Sequence, residues 1–304
     1  MLKQANCVKQ KPDGTAFSLQ ADAGESFLIR NIIYGDGSTT GYPVIRVDRK
    51  TVGCYRAGAQ GANHLGHIES GFFPMNLMEW LMGKGVNMAI PVAEGQRFTI
   101  DRAGDAGKII VIYDIYDAGD ILATMPNGSG SKEYTFIQYM TASAALATAV
   151  DHRLDVSLSP AEFPDFPCGK VVPARHLIDI LGIAGCPVRN GQSASFHIET
   201  TYLKLTKDRE ILFDEDRDGI PFLGKFGAVA GTKYIAEMSL IGDCVSIPAA
   251  MTSPTYGLPL MFDPPLHFVS GEELLVDLTC QLTGSGSIPV ANVRVAMIMN
   301  VKVE

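Results

Sequence analysis

Apolar and polar residues alternate along much of the chain, in short runs separated by turn-forming residues. The segment Ile90–Asp101 shows the pattern well: an apolar run, a turn at Gly95, and a second run with Phe98 and Ile100 at a period of two. Successive side chains of a β-strand point to opposite faces, which gives that period. The sequence therefore predicts an all-β protein.

The same pattern is found a second time. Segment Ile90–Asp101 aligns without a gap with Leu266–Asp277, and Gly95 then falls on Gly271. We interpret each segment as one β-hairpin. A nearly continuous apolar run follows each copy, at 108–117 and at 292–301, and such runs are typical of strands that are covered on both faces.

Two upstream segments extend the repeat in the same order. Phe27–Asp36 resembles His176–Gly185, and Pro43–Asp48 loosely resembles Ser195–Thr200. The offset between copies grows from 149 residues at His176 to 176 at Leu266, which leaves 27 additional residues for a longer loop in the second copy. Four matched elements in one order predict an internal duplication.

Three segments interrupt the alternation. Residues 120–132 contain Met-Pro-Asn-Gly-Ser-Gly-Ser, which is typical of a flexible linker, so we place one domain at 1–125 and a second at 126–304. Pro74–Gly83 has proline at its start and glycine at its end, and Tyr139–Val150 is rich in alanine. Both of these are predicted to be short helices.

Charge narrows the range of partners. The chain has 25 basic and 33 acidic residues, for a net charge of −8, and it has no run of lysine or arginine. Direct, sequence-independent binding of nucleic acid is therefore disfavoured, because such binding needs a positive surface. The first dozen residues lack the apolar run of a signal peptide, so we expect synthesis in the cytoplasm. The six scattered cysteines form no C-x-x-C pair and indicate neither a zinc knuckle nor a compact disulfide framework.

Two segments contain metal-ligand residue types. His64, His67 and Glu69 could meet a divalent ion, but their spacing is not that of the cupin enzymes, and a polar loop is the preferred interpretation. The second segment resembles the opening of a calcium loop, because carboxylates alternate before Gly219, although Lys225 stands where that loop needs a glutamate. Its candidate calcium ligands are Asp214, Asp216 and Asp218.

The sequence shows no recognised catalytic motif. It contains no Gly-x-Ser-x-Gly elbow and no phosphate-binding Gly-x-x-x-x-Gly-Lys-Ser/Thr loop. We therefore expect a protein that is not an enzyme and that has no cofactor, apart from the calcium alternative.

Two similar all-β modules joined by a short linker resemble the double jelly-roll major capsid proteins of viruses, including phages and viruses of archaea. The repeated segments Ile90–Asp101 and Leu266–Asp277 and the apolar runs after them support this architectural resemblance. It implies two tandem eight-stranded jelly-roll β-sandwiches. In that family three chains form a pseudo-hexagonal capsomer of an icosahedral shell, and loops at the sandwich tops face outward.

The resemblance also implies partners. These are other copies of the chain in a homotrimer, neighbouring capsomers, other virion proteins, and an inner membrane or genome layer that Lys3, Lys9 and Lys11 of a weakly basic N-terminal tail could touch. The expected location is the virion. Two alternatives remain: a spike, decoration or carbohydrate-binding sandwich with Tyr113 and Tyr116 exposed on a sheet face, and a two-cupin metalloenzyme.

Overall fold

The computed structural model shows an all-β protein made of antiparallel sheets, in agreement with the predicted fold class. The structure describes residues 1–11, 16–35, 44–54, 77–101, 108–121, 133–144, 151–157, 165–184, 197–213, 220–227, 235–236, 259–283 and 295–304. Contacts divide the chain into two compact units. The first holds Met1–Ile137 with Asn300–Glu304, and the second holds Gln138–Asp243 with Ile247–Met299. The predicted boundary between residues 125 and 126 lies outside the described residues and stays a prediction.

Eight strands form two sheets in the first unit. They are β1 (Leu2–Lys11), β2 (Phe17–Gln20), β3 (Glu25–Gly35), β4 (Val44–Val47), β5 (Lys50–Cys54), β6 (Ile90–Val92), β7 (Arg97–Asp101) and β8 (Lys108–Asp117). One sheet has the order β1-β8-β3-β6 and the other has the order β2-β7-β4-β5. Strands that are neighbours along the chain therefore mostly lie in different sheets.

The remaining strands form a second pair of sheets. They are β9 (Glu133–Thr141), β10 (Asp151–Arg153), β11 (Val156–Ser157), β12 (His176–Ala184), β13 (His197–Lys207), β14 (Glu210–Phe213), β15 (Ile220–Gly227), β16 (Ile235–Ala236), β17 (Leu260–Phe268), β18 (Leu274–Thr283) and β19 (Val295–Val303). The orders are β11-β9-β19-β12-β17 and β10-β18-β13-β15-β16, and β14 also pairs with β13. If β11 and β16 are set aside, and β14 and β15, which both pair with β13, are counted as one strand, both orders match those of the first unit.

The period of two in the sequence becomes a core between the sheets. In β7, Phe98 and Ile100 are buried while Arg97 and Asp101 are exposed. Other fully or nearly fully buried side chains of the first unit include Phe17, Phe27, Ile29, Ile45 and Val111, and those of the second include Ile178, Ile180, Leu203, Leu205, Phe268, Leu274 and Val276. Burial of such large apolar side chains is the main stabilising contribution to folding.

The β-hairpin predicted for the repeated segments Ile90–Asp101 and Leu266–Asp277 is wrong in both of them. β6 pairs with β3 in one sheet, whereas β7 pairs with β2 and β4 in the other. In the second copy, β17 pairs with β12 and β18 pairs with β13. Each repeated segment is therefore a corner that crosses from one sheet to the other, and its glycine lies at the turn with a positive φ, 78° at Gly95 and 90° at Gly271.

The two predicted helices have different outcomes. A helix, α1 (Leu77–Gly83), is confirmed within the Pro74–Gly83 segment, and it buries Met78 and Leu81 completely. The helix predicted for the Ala-rich segment is wrong where the structure describes that segment, because its first residues, from Tyr139 to Thr141, belong to β9. Residues 139–141 are buried in that strand, and residues 145–150 of the predicted helix lie outside the described residues. Among the described residues, no helix combines the length and apolar character needed to cross a membrane.

Candidate functional site

All six candidate metal ligands lie in segments that the structure does not describe. Asp214, Asp216 and Asp218, and equally His64, His67 and Glu69, lie outside the described residues. Within the described ranges, no three histidine, cysteine, aspartate or glutamate side chains come together in a way that could hold a metal ion. Both metal hypotheses stay predictions.

The two tyrosines proposed as a carbohydrate platform do not share a face. Residues 113 and 116 are an odd number of positions apart on β8, which is a continuous strand in its pairing with β3. Tyr113 lies opposite Ile29 and contacts the Phe27 ring at 5.3 Å between ring centroids, whereas Tyr116 lies opposite Ser26. Burial, followed by the nearby Cys7 and Glu25, raises the pKa of Tyr113. Tyr113 and Tyr116 therefore do not form the shared exposed face that the carbohydrate-binding alternative needs.

The N-terminal segment is a strand and not a basic tail. β1 pairs with β8 along its length. The ammonium group of Lys3 donates to the Gly24 carbonyl at 2.7 Å, and that of Lys9 donates to the Ser18 carbonyl at 3.1 Å. These two lysines therefore make contacts within the first unit, and their contact with an inner layer stays a prediction.

Three short turns meet at one end of the first unit, where β2 leads to β3, β4 to β5, and β6 to β7. The corner N–H of Gly95 donates to the Ala21 carbonyl at 2.9 Å, and the N–H of Ala21 donates to the Gln96 carbonyl at 3.0 Å. The Gln96 side chain closes the corner, since its Oε1 accepts from the Ala93 N–H at 2.9 Å. Main-chain bonds thus tie the β2–β3 turn to the corner.

The second unit repeats these contacts atom for atom. The N–H of Gly271 donates to the Val172 carbonyl at 2.9 Å, and the N–H of Val172 donates to the Glu272 carbonyl at 2.9 Å. The Glu272 carboxylate takes the place of the glutamine amide and accepts from the Val269 N–H at 2.8 Å. A glutamine and a glutamate therefore perform the same structural task at equivalent positions.

A third shared feature escaped the sequence comparison. Asp48 and Asp208 begin the β4–β5 and β13–β14 turns, and their φ angles are 55° and 50°. The N–H of Asp48 donates to the Arg97 carbonyl at 2.7 Å, and the N–H of Arg97 donates to Oδ1 of Asp48 at 2.8 Å. The signal available in the sequence was the dipeptide Asp-Arg, which occurs at residues 48–49 and again at 208–209.

Asp208 makes the equivalent pair of bonds with Glu273. The distances are 2.9 Å from the Asp208 N–H to the Glu273 carbonyl and 2.9 Å from the Glu273 N–H to Oδ1 of Asp208. Aspartate tolerates the left-handed region better than most residues, because its short side chain can bond the nearby backbone. Each aspartate therefore fixes a turn and links it to the corner of the neighbouring strand.

The second unit carries an ion pair where the first has an uncharged contact. Lys207 occupies the position of the buried Val47, since Val47 pairs with Phe98 and Lys207 with Leu274. Its Nζ lies 2.8 Å from Oε2 of Glu272 and also donates to the His267 carbonyl at 3.0 Å. The change from glutamine to glutamate is thus matched by a change from valine to lysine.

The surroundings of Glu272 favour its charged form. Burial raises its pKa, but the hydrogen bonds from Lys207 and from the Val269 N–H, with the charges of Lys207 and His267, outweigh that effect, so the pKa lies below its ordinary value. His267 is itself paired, because its Nδ1 lies 2.6 Å from Oδ1 of Asp179. Lys207 and Glu272 form part of the wall of an open, polar depression of about 810 Å³.

Among the cysteines that the structure describes, Cys168 is the most deeply buried, and its thiol is poorly reactive. Cys168 is 5% exposed, and its Sγ lies 3.5 Å from Nε2 of Gln138. Burial is the main reason that the pKa of this thiol rises to about 11, and the nearby Asp165 and Asp155 add to it against hydrogen bonds that lower it. At neutral pH the group is therefore a protonated thiol and a poor nucleophile.

In the part of the chain that the structure describes, the side chains at the short-turn end of each unit thus make hydrogen bonds that stabilise the turns. Comparisons with protein-family models, with curated proteins and with solved structures found no match.

Proposed function

We propose that this chain is a viral major capsid protein, built as two tandem jelly rolls that arose by duplication of one module. The observation that carries the proposal is the strand order, which is the same in both units. The first, eighth, third and sixth strands form one sheet, and the second, seventh, fourth and fifth form the other. An eight-stranded sandwich with that order is a jelly roll, an architecture found in viral capsid and lectin domains.

The shared hydrogen bonds support duplication independently of the strand order. Two unrelated sandwiches could share a strand order, because few orders satisfy the rules for connecting strands. They would have little reason to share an aspartate with positive φ that is bonded through both its N–H and its carboxylate to the same position of the neighbouring strand, as at Asp48 and Asp208. A common ancestral module explains both features.

The register of the strands supports the same ancestor. Phe27 lies opposite Val92, and Ile178 lies opposite Phe268. Val92 and Phe268 are equivalent in the repeated segment, so Phe27 corresponds to Ile178 and not to His176, as the sequence alignment had it. That alignment was wrong by two residues, a shift that keeps every side chain on its own face of the sheet.

The architecture is better suited to a structural role in a shell than to the binding of a ligand in a pocket. Three copies of a two-module chain present six similar wedges around an axis, and such a pseudo-hexagonal trimer can tile a closed surface. The short turns lie at one end of each unit, and the longer connections leave the opposite strand ends, for example between Cys54 and Ile90. In the proposed shell the longer connections face outward. Calcium at Asp214, Asp216 and Asp218 would be structural.

The mass of the purified protein in solution tests the proposal. We expect light scattering on a sizing column to give a particle of three times 32.7 kDa, or larger shells, with hexagonal outlines in negative-stain images. Metal content measured on the same peak separates the alternatives. A monomer or dimer loaded with stoichiometric transition metal would contradict the capsid proposal and favour the two-cupin enzyme.

A further inference from the structure

β1 and β9 are equivalent strands that contribute very differently to their units. In β9 every residue from Phe136 to Thr141 is buried. In β1 no side chain that the structure describes is buried: only Cys7 and Lys9 are partly covered, and Val8 is 64% exposed. β1 therefore adds almost nothing to the apolar core that stabilises the first unit.

The position of β1 at the edge of its sheet adds to this difference. β9 has a neighbour on its outer side, because Val156 and Ser157 of β11 pair with Thr141 and Met140. Among the described residues, β1 pairs with β8 alone. That ladder changes register between Leu2 and Gln4 and again between Gln4 and Cys7. Strands with few buried contacts and an irregular ladder are among the first elements to open.

The side chains of β1 add a few polar contacts to the ladder, most of them exposed. Besides the bonds of Lys3 and Lys9 to backbone carbonyls, the N–H of Asn6 donates to Oδ1 of Asp114 at 2.8 Å. The terminal ammonium of Met1 lies 3.0 Å from Oδ2 of Asp117 and also contacts Asp120, while Lys3 lies 3.5 Å from Asp117. Exposed ion pairs contribute little to stability, and salt screens them. Main-chain hydrogen bonds to β8 thus provide most of what holds β1.

The connection to β2 is short. Residues 12–16 lead from β1 in one sheet to β2 in the other. Two packed sheets lie about 10 Å apart, and five residues span at most about 17 Å, so an exchanged β1 can reach only a copy that lies directly beside its own. Short hinge connections favour domain swapping between identical chains.

We propose that β1 is exchanged between copies of this chain, so that β1 of one copy pairs with β8 of a second copy. The edge of β8 already matches the sequence and register of β1, and a second copy supplies an identical strand. The exchange replaces each hydrogen bond with the same bond in trans, so it costs little and joins two chains. The proposal needs only that copies associate, and it does not rest on the assignment as a capsid protein.

A disulfide across the β1–β8 ladder tests the exchange. Val8 and Ile112 are direct partners in the regular part of the ladder. One chain carries Val8→Cys and the other Ile112→Cys, each with Cys7→Ser, and the two are co-expressed and oxidised as full-length protein. In such a mixture a bond between residues 8 and 112 can form only between chains. We expect a covalent dimer at twice 32.7 kDa on a non-reducing gel, and mass spectrometry should find the joined peptides.

The controls separate this bond from others. Each single variant expressed alone should give no such dimer, which excludes bonds made by the remaining cysteines. A third chain carries both Val8→Cys and Ile112→Cys, and its circular dichroism shows whether the substitutions leave the fold intact. In an exchanged assembly this double variant should form disulfide-linked dimers and trimers.

The opposite result is equally clear. If the double variant is folded and oxidised but runs as single chains, and the mixture gives no joined peptides, exchange does not occur. Light scattering on the same samples reports the oligomer separately. A trimer with only intrachain disulfides would overturn the exchange and leave the capsid proposal standing, whereas covalent dimers without any larger assembly would do the reverse.

Discussion

Asp48 and Asp208 make the same pair of hydrogen bonds, each with the residue two positions after the corner glycine of its own unit, Arg97 and Glu273. Both adopt positive φ, and in each the carboxylate accepts the N–H that the turn would otherwise leave without a partner. Within its own unit, each aspartate therefore acts as a clamp between a short turn and the corner.

Replacing either clamp with alanine should destabilise the protein. Asp48→Ala and Asp208→Ala each lose the carboxylate bond and place an alanine in the left-handed region, for an expected cost of about 1 to 3 kcal/mol. The matched controls are Asp48→Asn and Asp208→Asn, which keep both an acceptor and a residue that tolerates positive φ, and should cost less. Chemical denaturation measures the four values. Equal costs for alanine and asparagine would show that the clamp does not act as described.

Gly182 should tolerate no side chain. It lies opposite Met261 where the β12–β17 ladder changes register, and a Cβ at this position would clash with the Leu260 carbonyl and lie 2.9 Å from Sδ of Met261. A backbone carbonyl cannot move aside cheaply, so Gly182→Ala should cost about 1 to 3 kcal/mol. Gly83→Ala is the control, because nothing lies within 4 Å of a Cβ there. It should be neutral or slightly stabilising in the same thermal denaturation experiment.

The alternation of apolar residues predicted the all-β class, but it could not assign strands to sheets. Both a hairpin and a corner between sheets contain two strands of period two around a turn glycine. What decides between them is pairing with distant segments: Ile90 pairs with Ile29, and Phe98 with Leu19 and Val47. Such partners are invisible in the local pattern of a single sequence.

The candidate site was predictable in part. The repeat around Gly95 and Gly271 marked the corners correctly as turns, because glycine is favoured where φ must be positive. The equivalence of Asp48 and Asp208 was missed, since the strand before each differs in length and the alignment placed Pro43–Asp48 on Ser195–Thr200. The hydrogen bonds in the structure identify this pair, whereas the shared dipeptide Asp-Arg is too short to do so.

The pKa of Glu272 predicts how acid affects stability. The pKa is lower in the folded protein than its ordinary value of 4.5, so around that pH the unfolded chain binds more protons. The contribution of Glu272 is therefore present above pH 4.5 and is lost as the pH falls through the folded value.

Glu272→Gln should remove this pH dependence, because glutamine keeps the acceptor for the Val269 N–H, as Gln96 does in the first unit. Urea denaturation at pH 3 to 7 should show a wild-type stability advantage at neutral pH that shrinks toward pH 3. In a Lys207→Met background most of that difference should disappear. An advantage that is unchanged from pH 7 to pH 3 would contradict the role given to the Lys207 ion pair.

Cys168 should react slowly with thiol reagents. The thiolate is the reactive form, and a pKa of about 11 together with burial leaves little of it accessible at neutral pH. Peptide mapping after treatment with iodoacetamide at pH 8 should show Cys168 modified much more slowly than the partly exposed Cys7. Both should react quickly in urea. Rapid native labelling of Cys168 would mean that the second unit opens locally on the time scale of the reaction.

The first unit should fold without the rest of the chain. The eight described strands of β1-β8-β3-β6 and β2-β7-β4-β5 lie between Leu2 and Asp117, and Asp120 contacts the terminal ammonium of Met1, so a fragment of residues 1–121 contains both of these sheets. We expect this fragment to show the circular dichroism of a β protein and one cooperative thermal transition, but no assembly into larger particles. A fragment of residues 1–107 is the matched control. It lacks β8, which lies between β1 and β3 in the sheet, and it should be unfolded. A disordered 1–121 fragment would mean that the two units fold as one interlocked body, and the two proposed modules would then not be independent domains.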